Sequence, residues 1–335
     1  MDALRWGLLG TAQITRRLIP AIRANRRSVL TAVGSRDAFR AEAYARQWGI
    51  PHAHDGYARV LDDPAVDAVY ISLPNSMHAE WTLAAIDAGK HVLCEKPLVL
   101  DPEDVDRIAH KAQTRAVTVS EAMMYRHEPL TARAVRFARE HAVGPPRSIS
   151  AGFTYQQSRA PDVRLDPALG GGSLWDIGCY AVSYARLLAG EEPEEVFGWA
   201  QWTPSGVDES FTGLMRFPSG VVATIHSGFR TAYRTWVELA GEDGVMRVPN
   251  PFKPGTREDI ELQRQDVARR VAVEGSLELF VREVADFVAS VQDGRDPVVS
   301  LTESQGNAAA LQALHESARM GKPVSVRQRG APPLA

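Results

Sequence analysis

The first third of the chain alternates short, continuous apolar runs with longer segments whose apolar residues recur at helical spacing. The continuous runs predict strands over about 4–9, 29–33, 68–72, 91–94 and 117–120. The helical spacing predicts helices over about 12–25, 40–48, 57–61, 79–88 and 102–114. Unbroken apolar strands are typical of a sheet that is buried on both faces, with the helices as crossovers. The pattern predicts an α/β N-terminal domain with a doubly wound parallel sheet, the Rossmann architecture.

A different pattern follows a helix predicted over about 130–140. Apolar and polar residues alternate in the segments 148–155, 196–201, 210–217, 221–229 and 235–240, and tight turns join several of them, as at 217–220 and 241–244. Alternation of this kind indicates antiparallel strands with one partly solvated face. Two late helices, near 277–292 and 304–320, complete this half. We therefore expect an α+β C-terminal domain with a mainly antiparallel open sheet.

Length and composition narrow the classes of function. The chain has 335 residues, of which 44% are hydrophobic and 24% are charged, and its formal net charge is −3. This length favours two domains, which we place at 1–121 and 122–329, followed by a disordered Gly/Pro-rich tail at 330–335. Because no basic cluster is present, we expect no nucleic-acid partner. No apolar stretch approaches the ~20 residues of a membrane span and no signal peptide is evident, so we expect no membrane association.

The cysteine content points to a compartment. Cys94 and Cys179 are the only cysteines, and they are far apart in the chain. This argues against a disulfide framework or a zinc site made of cysteines, and it favours a reducing, cytoplasmic location.

The first predicted strand ends in a glycine, and a helix begins almost at once. The run is Gly10-Thr11-Ala12-Gln13-Ile14-Thr15, whereas the usual dinucleotide fingerprint is G-x-G-x-x-G/A. Only the first glycine is present, so on its own the run also fits a plain strand–helix connection. Its position in the first βα unit of the sheet favours binding of a pyrophosphate at the helix N-terminus by residues 10–14.

The end of the second strand bears on which dinucleotide is bound. NAD sites normally place an acidic residue there to hold the adenosine ribose. This chain instead has Ser35 and Arg36, a hydroxyl and a guanidinium that suit the 2′-phosphate of NADP, with Arg40 one turn later. Asp37 could alternatively turn towards the ribose. We expect NADP(H) to be favoured over NAD(H).

Further motifs occur in a fixed order along the chain: Leu73-Pro74-Asn75-Ser76-Met77-His78, Cys94-Glu95-Lys96-Pro97, the stretches 121–129 and 164–170, and Gly170-Gly-Gly-Ser-Leu-Trp-Asp-Ile-Gly-Cys-Tyr180. Together with the opening Gly-Leu-Leu-Gly-Thr-Ala, these resemble the glucose–fructose oxidoreductase/inositol dehydrogenase (Gfo/Idh/MocA) family of NAD(P)-dependent sugar oxidoreductases. The branch most similar is that of NADP-linked xylose dehydrogenases, dihydrodiol dehydrogenases and keto-sugar reductases. The resemblance covers almost the whole chain.

The resemblance implies that Lys96, in the Glu95-Lys96-Pro97 motif, lies beside the nicotinamide. Lys96 follows a strand of the parallel sheet, at the edge where open α/β sheets bind ligands, and its ammonium can stabilise a developing alkoxide. The alternative is a solvated lysine at a strand end. Glu95, Leu73, Asn75 and His78 are expected to shape the cofactor cleft, although Asn75 and His78 also suit a turn and a helix start.

Asp176 and Tyr180 are four residues apart and would share a face of a helix. A phenol titrates near ~10, and a neighbouring ammonium favours the phenolate, so Tyr180 is our candidate proton donor or acceptor, tuned by Lys96. Asp176 is expected to orient Lys96 or to bind a substrate hydroxyl. The alternative is that Tyr180 packs against the sheet while Asp176 caps locally.

Substrate binding is further assigned to Arg164 and Tyr125, with His127 at the border of the pocket. Arg164 could alternatively form only a local salt bridge. His52 and His54 alternate as strand residues do, beside Asp55, but no third or fourth ligand is evident at useful spacing, so we predict no metal.

These assignments predict an NADP(H)-dependent oxidoreductase that transfers a hydride at a C–OH/C=O carbon of a sugar or polyol. The residues 1–121 would bind the dinucleotide, and 122–329 would bind substrate and form a homodimer or homotetramer through the uncovered face of the sheet. Two alternatives are a non-catalytic dinucleotide sensor or corepressor of the same fold, and a dihydrodiol-type dehydrogenase that acts on a non-sugar. The sensor should lack Lys96, Asp176 or Tyr180, and all three are present.

Overall fold

The computed structural model describes residues 2–157, 162–275 and 278–326, and the predicted tail at 330–335 lies outside them. The strands are, in chain order, β1 (Leu4–Leu9), β2 (Ser28–Ser35), β3 (His52–Asp55), β4 (Ala68–Ile71), β5 (His91–Glu95), β6 (Val119–Ala122), β7 (Pro146–Gln156), β8 (Glu195–Trp202), β9 (Asp208–Arg216), β10 (Val222–Gly228), β11 (Arg230–Gly241), β12 (Gly244–Pro249), β13 (Arg257–Arg264), β14 (Val267–Glu274) and β15 (Val324–Ser325).

The helices are α1 (Thr15–Ala24), α2 (Ala38–Trp48), α3 (Ala58–Leu61), α4 (His78–Asp87), α5 (Pro102–Arg115), α6 (Pro129–Arg139), α7 (Cys179–Ala189), α8 (Leu279–Asp293) and α9 (Leu301–Met320). Short 3₁₀ turns lie at 75–77, 124–127, 163–165 and 167–169, and a π-helical segment, Leu174–Gly178, leads directly into α7. No helix among the described residues is long and apolar enough to cross a membrane.

The chain divides into two compact units. The first unit comprises residues up to 99 together with 103–124 and 278–304, and the second unit comprises 100–102, 125–277 and the residues from 305 onward.

The first unit contains a six-stranded sheet in the order β3-β2-β1-β4-β5-β6, and every pair in it is parallel. The strand order reverses between β1 and β4, which is the point where doubly wound sheets bind their ligands. All four residues of β4 are buried, as expected for a strand that is covered on both faces. The structure confirms the predicted doubly wound parallel sheet.

The helix α8 also belongs to the first unit, although the sequence pattern grouped it with the second half of the chain. Phe287 of α8 packs against Trp6 of β1, with 5.1 Å between ring centroids. Asp293 at its end pairs with Arg27 at 2.6 Å. Helical spacing shows that α8 has a buried face, but it does not say which sheet that face covers.

The second unit is built on a nine-stranded sheet in the order β14-β13-β12-β11-β7-β10-β9-β8-β15. Its pairs are antiparallel except for β7 with β10, which confirms a mainly antiparallel open sheet. Alternation along the strands separates two faces. One face is buried, with side chains such as Ile149, Phe211, Met215 and Leu239, and α7 packs against β7 and β10.

Four strands of this sheet, β12, β13, β14 and the two-residue β15, were absent from the sequence prediction. In β14 seven of the eight residues are exposed or half-buried. A strand at the edge of a sheet buries little apolar surface, so its sequence carries little alternation for a pattern to detect.

Candidate active site

The loop between β1 and α1 leaves a row of backbone donors without a partner. Gly10 has φ of 101°, and a Cβ at that position would lie 3.1 Å from the Leu73 side chain, which explains why glycine is required there. The backbone N–H groups of residues 11–14 donate to no residue that the structure describes. Free N–H groups at a helix N-terminus are suited to bind an anion. The loop therefore fits a phosphate in spite of Ala12 in the place of the second glycine.

The end of β2 presents an uncompensated positive charge. Arg36 is exposed and forms no hydrogen bond or ion pair with any described residue. Asp37 does not turn towards a ligand, because its carboxylate caps α2 by accepting the N–H of Arg40 at 3.1 Å. The guanidinium of Arg40 donates to the Thr11 hydroxyl at 2.8 Å. Because the Asp37 carboxylate caps α2, Arg36 and Arg40 are the cations that face solvent beside the loop at 10–14.

His78 ties together the loops that follow β4 and β5. Its side chain is fully buried, and its ring nitrogens each lie 2.8 Å from a backbone carbonyl, Nδ1 from that of Pro97 and Nε2 from that of Leu73. Burial, and secondarily the charge of Lys96, lowers the pKa of His78. His78 therefore holds the backbone on either side of the cleft, and its ring does not face solvent.

The loop that carries Lys96 is held by Glu121, a residue that the sequence analysis did not assign to the site. Lys96 is half-buried at the end of β5, before a cis peptide bond to Pro97. The buried carboxylate of Glu121 accepts the N–H of Leu98 at 2.9 Å and the Ser304 hydroxyl at 2.7 Å. Glu95, at the end of β5, accepts a hydrogen bond from the phenol of Tyr70. The strand-end loop that carries Lys96 is thus held by carboxylates on both β5 and β6.

In the second unit, Asp176 lies at the centre of a charged network. Its Oδ2 accepts from the phenol of Tyr155 at 2.9 Å and from Nε of Arg164 at 3.1 Å. Arg164 also donates to both oxygens of Asp162, at 3.2 and 3.3 Å. The charge of Asp176 raises the pKa of Arg164, while burial and then Asp176 raise the pKa of Tyr155. At neutral pH the network therefore holds an arginine cation and a neutral phenol.

Tyr180 begins α7 beside an aromatic cluster on the buried face of the sheet. Its ring lies 5.9 Å from that of Tyr125, 6.0 Å from that of Phe153 and 5.5 Å from that of Phe252, measured between centroids. Tyr125 is fully buried, and its phenol donates to the Ser183 hydroxyl at 2.7 Å. Tyr125 thus supports Tyr180 from behind. His127, two residues later, is half-buried, and its burial lowers its pKa to about 3.

The segment that carries Asp176 and Tyr180 is anchored by Asp208, which the sequence analysis missed. Asp208 is buried, and its Oδ2 accepts from the Ser173 hydroxyl at 2.7 Å and from the N–H of Leu174 at 2.8 Å. A Cβ on Gly172, whose φ is 126°, would lie 2.2 Å from Asp208 Oδ1. Burial raises the pKa of Asp208 to about 6, although the hydrogen bonds oppose this shift. The glycines at 170–172 indicate that another group approaches the backbone closely, but no nearby residue in the sequence identifies that group as Asp208.

The two histidines of β3 have a neighbour that the sequence spacing did not reveal. Asp63 Oδ2 lies 2.6 Å from Nδ1 of His52 and 2.9 Å from Nε2 of His54. Burial alone would raise the pKa of Asp63, but the hydrogen bonds from His52, the N–H of Ala65 and His54 lower it to about 2. The cluster is thus an ionised carboxylate between two imidazoles.

Each unit therefore offers one set of groups. The first unit has the free N–H groups of residues 11–14 and the Arg36 guanidinium, which are suited to bind an anion. Lys96 follows β5, two strands away from β1 in the sheet. The second unit has a hydrogen-bonded network of Asp176, Arg164 and Tyr155, and the Tyr180 phenol near the start of α7. The first set is suited to bind a phosphate group, and the second set can hydrogen-bond a polar ligand.

Comparison with protein families gives two matches that follow each other along the chain. Residues 4–123 match the model of an oxidoreductase family with an NAD-binding Rossmann fold, GFO/IDH/MocA, and residues 131–247 match a GFO/IDH/MocA C-terminal domain.

Similar proteins span nearly the full chain. A D-xylose 1-dehydrogenase (NADP(+)) from Haloferax volcanii is 36% identical over 96% of this chain and 100% of its own length. The crystal structure of a 3-ketoreductase from Actinomadura kijaniata in complex with NADP and TDP-benzene superposes with a TM-score of 0.90 at 30% identity, over 94% of this chain and 98% of that one. An aldose–aldose oxidoreductase from Caulobacter crescentus, complexed with glycerol, gives a TM-score of 0.87 at 26% identity, over 97% and 100%.

Proposed function

Because this chain belongs to the GFO/IDH/MocA family of oxidoreductases, we propose that it is an NADP(H)-dependent enzyme that transfers a hydride at a C–OH/C=O carbon of a sugar or sugar derivative. The full-length relatives support the substrate class, since their names describe xylose, keto-sugar and aldose oxidoreductases. The observation that carries the cofactor assignment is Arg36, a cation without an anionic partner among the described residues, beside the free N–H groups of residues 11–14.

The first unit fits NADP(H) at two points. The pyrophosphate would lie on the N–H groups of residues 11–14, and Ser35 and Arg36 would hold the 2′-phosphate, with Arg40 adding charge. Leu73, Asn75, His78 and Glu95 would shape the ribose and nicotinamide part of the cleft, His78 by fixing the backbone of Leu73 and Pro97. When bound, the cofactor supplies or accepts the hydride.

Proton handling is assigned to Lys96 and Tyr180. The Lys96 ammonium stabilises negative charge that develops on the substrate oxygen, and the Tyr180 phenol gives or takes the hydroxyl proton. Asp176 and Arg164 bind neighbouring sugar hydroxyls, with Asp176 accepting and Arg164 donating hydrogen bonds. Tyr125 acts behind this set, since it packs against Tyr180 and is itself fully buried, while His127 is assigned to the border of the substrate pocket.

We also propose that the chain forms a homodimer or homotetramer through the outer face of the nine-stranded sheet. Trp199, Leu214 and Val222 lie on adjacent strands of this face and are 71%, 44% and 39% exposed. Exposed apolar patches of this kind usually mark an interface. The buried, unbridged thiols of Cys94 and Cys179 support a reducing compartment, the cytoplasm.

A substrate screen tests the activity directly. Purified protein is incubated with NADP⁺ and a panel of aldopyranoses, and with NADPH and keto-sugars, while the absorbance of the reduced cofactor is followed. We expect turnover of at least one sugar, with NADP(H) preferred over NAD(H). Turnover of a dihydrodiol but of no sugar would overturn the substrate class, and tight NADPH binding without turnover of any compound would favour the sensor.

A further inference from the structure

The side of β3 that carries His52 and His54 meets the turn after α3, which carries Asp63. Alternate residues of a strand point to the same side, so both imidazoles project together from this edge strand. The carboxylate of Asp63 lies between them, with Oδ2 at 2.6 Å from His52 Nδ1 and at 2.9 Å from His54 Nε2. Three possible ligand atoms of two chemical types thus lie within 4.8 Å of one another.

The backbone presents this carboxylate to the histidines. Asp63 Oδ1 accepts the N–H of Ala65 at 2.8 Å, which fixes the carboxylate and directs Oδ2 towards the imidazoles. The nearest ammonium, that of Lys90, donates to the backbone carbonyls of Asp63 and Val66, at 3.1 and 2.7 Å. Among the described residues, no lysine or arginine pairs with the Asp63 carboxylate, and the two imidazoles are the side chains that contact it.

We propose that His52, His54 and Asp63 form a binding site for a divalent transition metal of the Zn²⁺ class. Two imidazoles and one carboxylate are ligands that Zn²⁺ takes at about 2.0–2.2 Å, with water in the fourth position. The three ligand atoms lie within 4.8 Å of one another, and tetrahedral ligands are roughly 3.3 Å apart at such bond lengths. The His52 side chain is 44% exposed, so it is free to adjust and water can reach the open position.

The metal would have a structural role. It would tie the edge strand β3 to the turn after α3, and β3 pairs with β2 through Gly34 with His54 and Ser35 with Asp55. It would therefore support the strand end that carries Ser35 and Arg36 without supplying a group for hydride transfer. Mg²⁺ and Ca²⁺ prefer sites made only of oxygen ligands, so they should not compete.

The test is calorimetric titration of ZnCl₂ into the tag-free, chelator-treated full chain. We expect one saturable Zn²⁺ per chain, and no saturable heat with Mg²⁺. The double variant His52→Ala/His54→Ala should bind Zn²⁺ at least ~100-fold more weakly, since two of three ligands are gone. The matched control His110→Ala/His141→Asn, which replaces two exposed histidines outside the cluster, should bind as the natural chain does.

Hydrogen exchange locates the metal within the chain. Zn²⁺ should slow exchange of the amides at 52–55 in the natural chain and in the control, but not in the double variant. If the double variant fails to fold, His52→Gln alone, at an exposed side chain, should weaken binding at least ~10-fold. Absence of saturable Zn²⁺ binding, or binding that is unchanged by substitution of His52, or lost equally in the control, would overturn the proposal.

Discussion

The two units differ in whether their proposed ligand-binding groups are already paired with other groups of the protein. In the first unit, the groups that face the proposed cofactor are left unpaired: the N–H groups of residues 11–14 and the guanidinium of Arg36 have no partner among the described residues. In the second unit, Asp176, Arg164, Asp162 and Tyr155 already satisfy one another. Unpaired N–H groups and an unpaired guanidinium can bind a charged phosphate directly. Uncharged sugar hydroxyls instead require a network whose charges are already compensated within the protein before the substrate binds.

This difference between the units predicts which property of the enzyme a substitution in each unit should change. Changes in the first unit should alter cofactor binding or the chemical step and discriminate between NADP and NAD. Changes in the second unit should leave that discrimination intact and alter substrate use or stability.

Lys96→Met should lower kcat/KM by about 10³-fold, because it removes the cation that stabilises charge on the reacting oxygen. Affinity for NADPH, measured by fluorescence titration, should stay within a few-fold, since Lys96 is assigned to the substrate oxygen and not to the phosphates. Parallel loss of cofactor affinity would show that Lys96 belongs to the cofactor site alone.

Arg36→Ala should weaken NADP(H) binding by about 10- to 100-fold, which corresponds to the roughly 1.5–3 kcal/mol of a charge-assisted hydrogen bond. NAD(H) binding should change little, because it lacks the 2′-phosphate. The matched control is Arg16→Ala, an exposed arginine on α1. Equal weakening of both cofactors by Arg36→Ala would refute the 2′-phosphate assignment.

Asp208 should make stability depend on pH in a defined direction. Burial raises its pKa to about 6, above its unfolded value of about 3.9, so the folded state holds the proton more tightly. The resulting stabilisation is fully present below the unfolded pKa and is lost as pH rises through about 6, on the order of 2 kcal/mol between about pH 4 and 7.

Asp208→Asn isolates this effect, because the amide oxygen can still accept from Ser173 and Leu174 but does not ionise. Urea unfolding across this pH range should show that the natural chain loses stability relative to the variant as pH rises. Parallel pH profiles for the two proteins would contradict the assignment.

Tyr155→Phe should have the smallest effect, a loss of about fivefold in kcat/KM from one hydrogen bond to Asp176 worth about 1 kcal/mol. The ratio of NADP to NAD affinity should not change, since Tyr155 belongs to the second unit. A shift in that ratio would break the contrast between the units.

The sequence predicted most of the first sheet because buried parallel strands are continuous apolar runs. It predicted one helical segment for Asp176 and Tyr180, but Asp176 lies in the π-helical segment Leu174–Gly178 and Tyr180 lies in α7, so the i,i+4 spacing of a regular α-helix does not relate them. It did not predict the partners of these elements: Asp208 is 35 residues from Ser173, and Asp63 is 11 residues from His52. Such contacts depend on which surfaces meet after folding, as does the place of α8 in the first unit, and no periodicity records them. Likewise, β14 lacked a signal because it buries little apolar surface, whereas β12 and β13 each bury an alternating apolar pair that the prediction overlooked.

The proposed mechanism depends on Lys96 and Tyr180 acting on the same substrate oxygen. A double-mutant cycle in kcat/KM with Lys96→Met, Tyr180→Phe and the double variant tests it, using the best substrate of the sugar screen. Groups that act together are strongly non-additive, so the double variant should lose about as much as the worse single variant. If the two losses instead multiply, Lys96 and Tyr180 act independently and the claim fails.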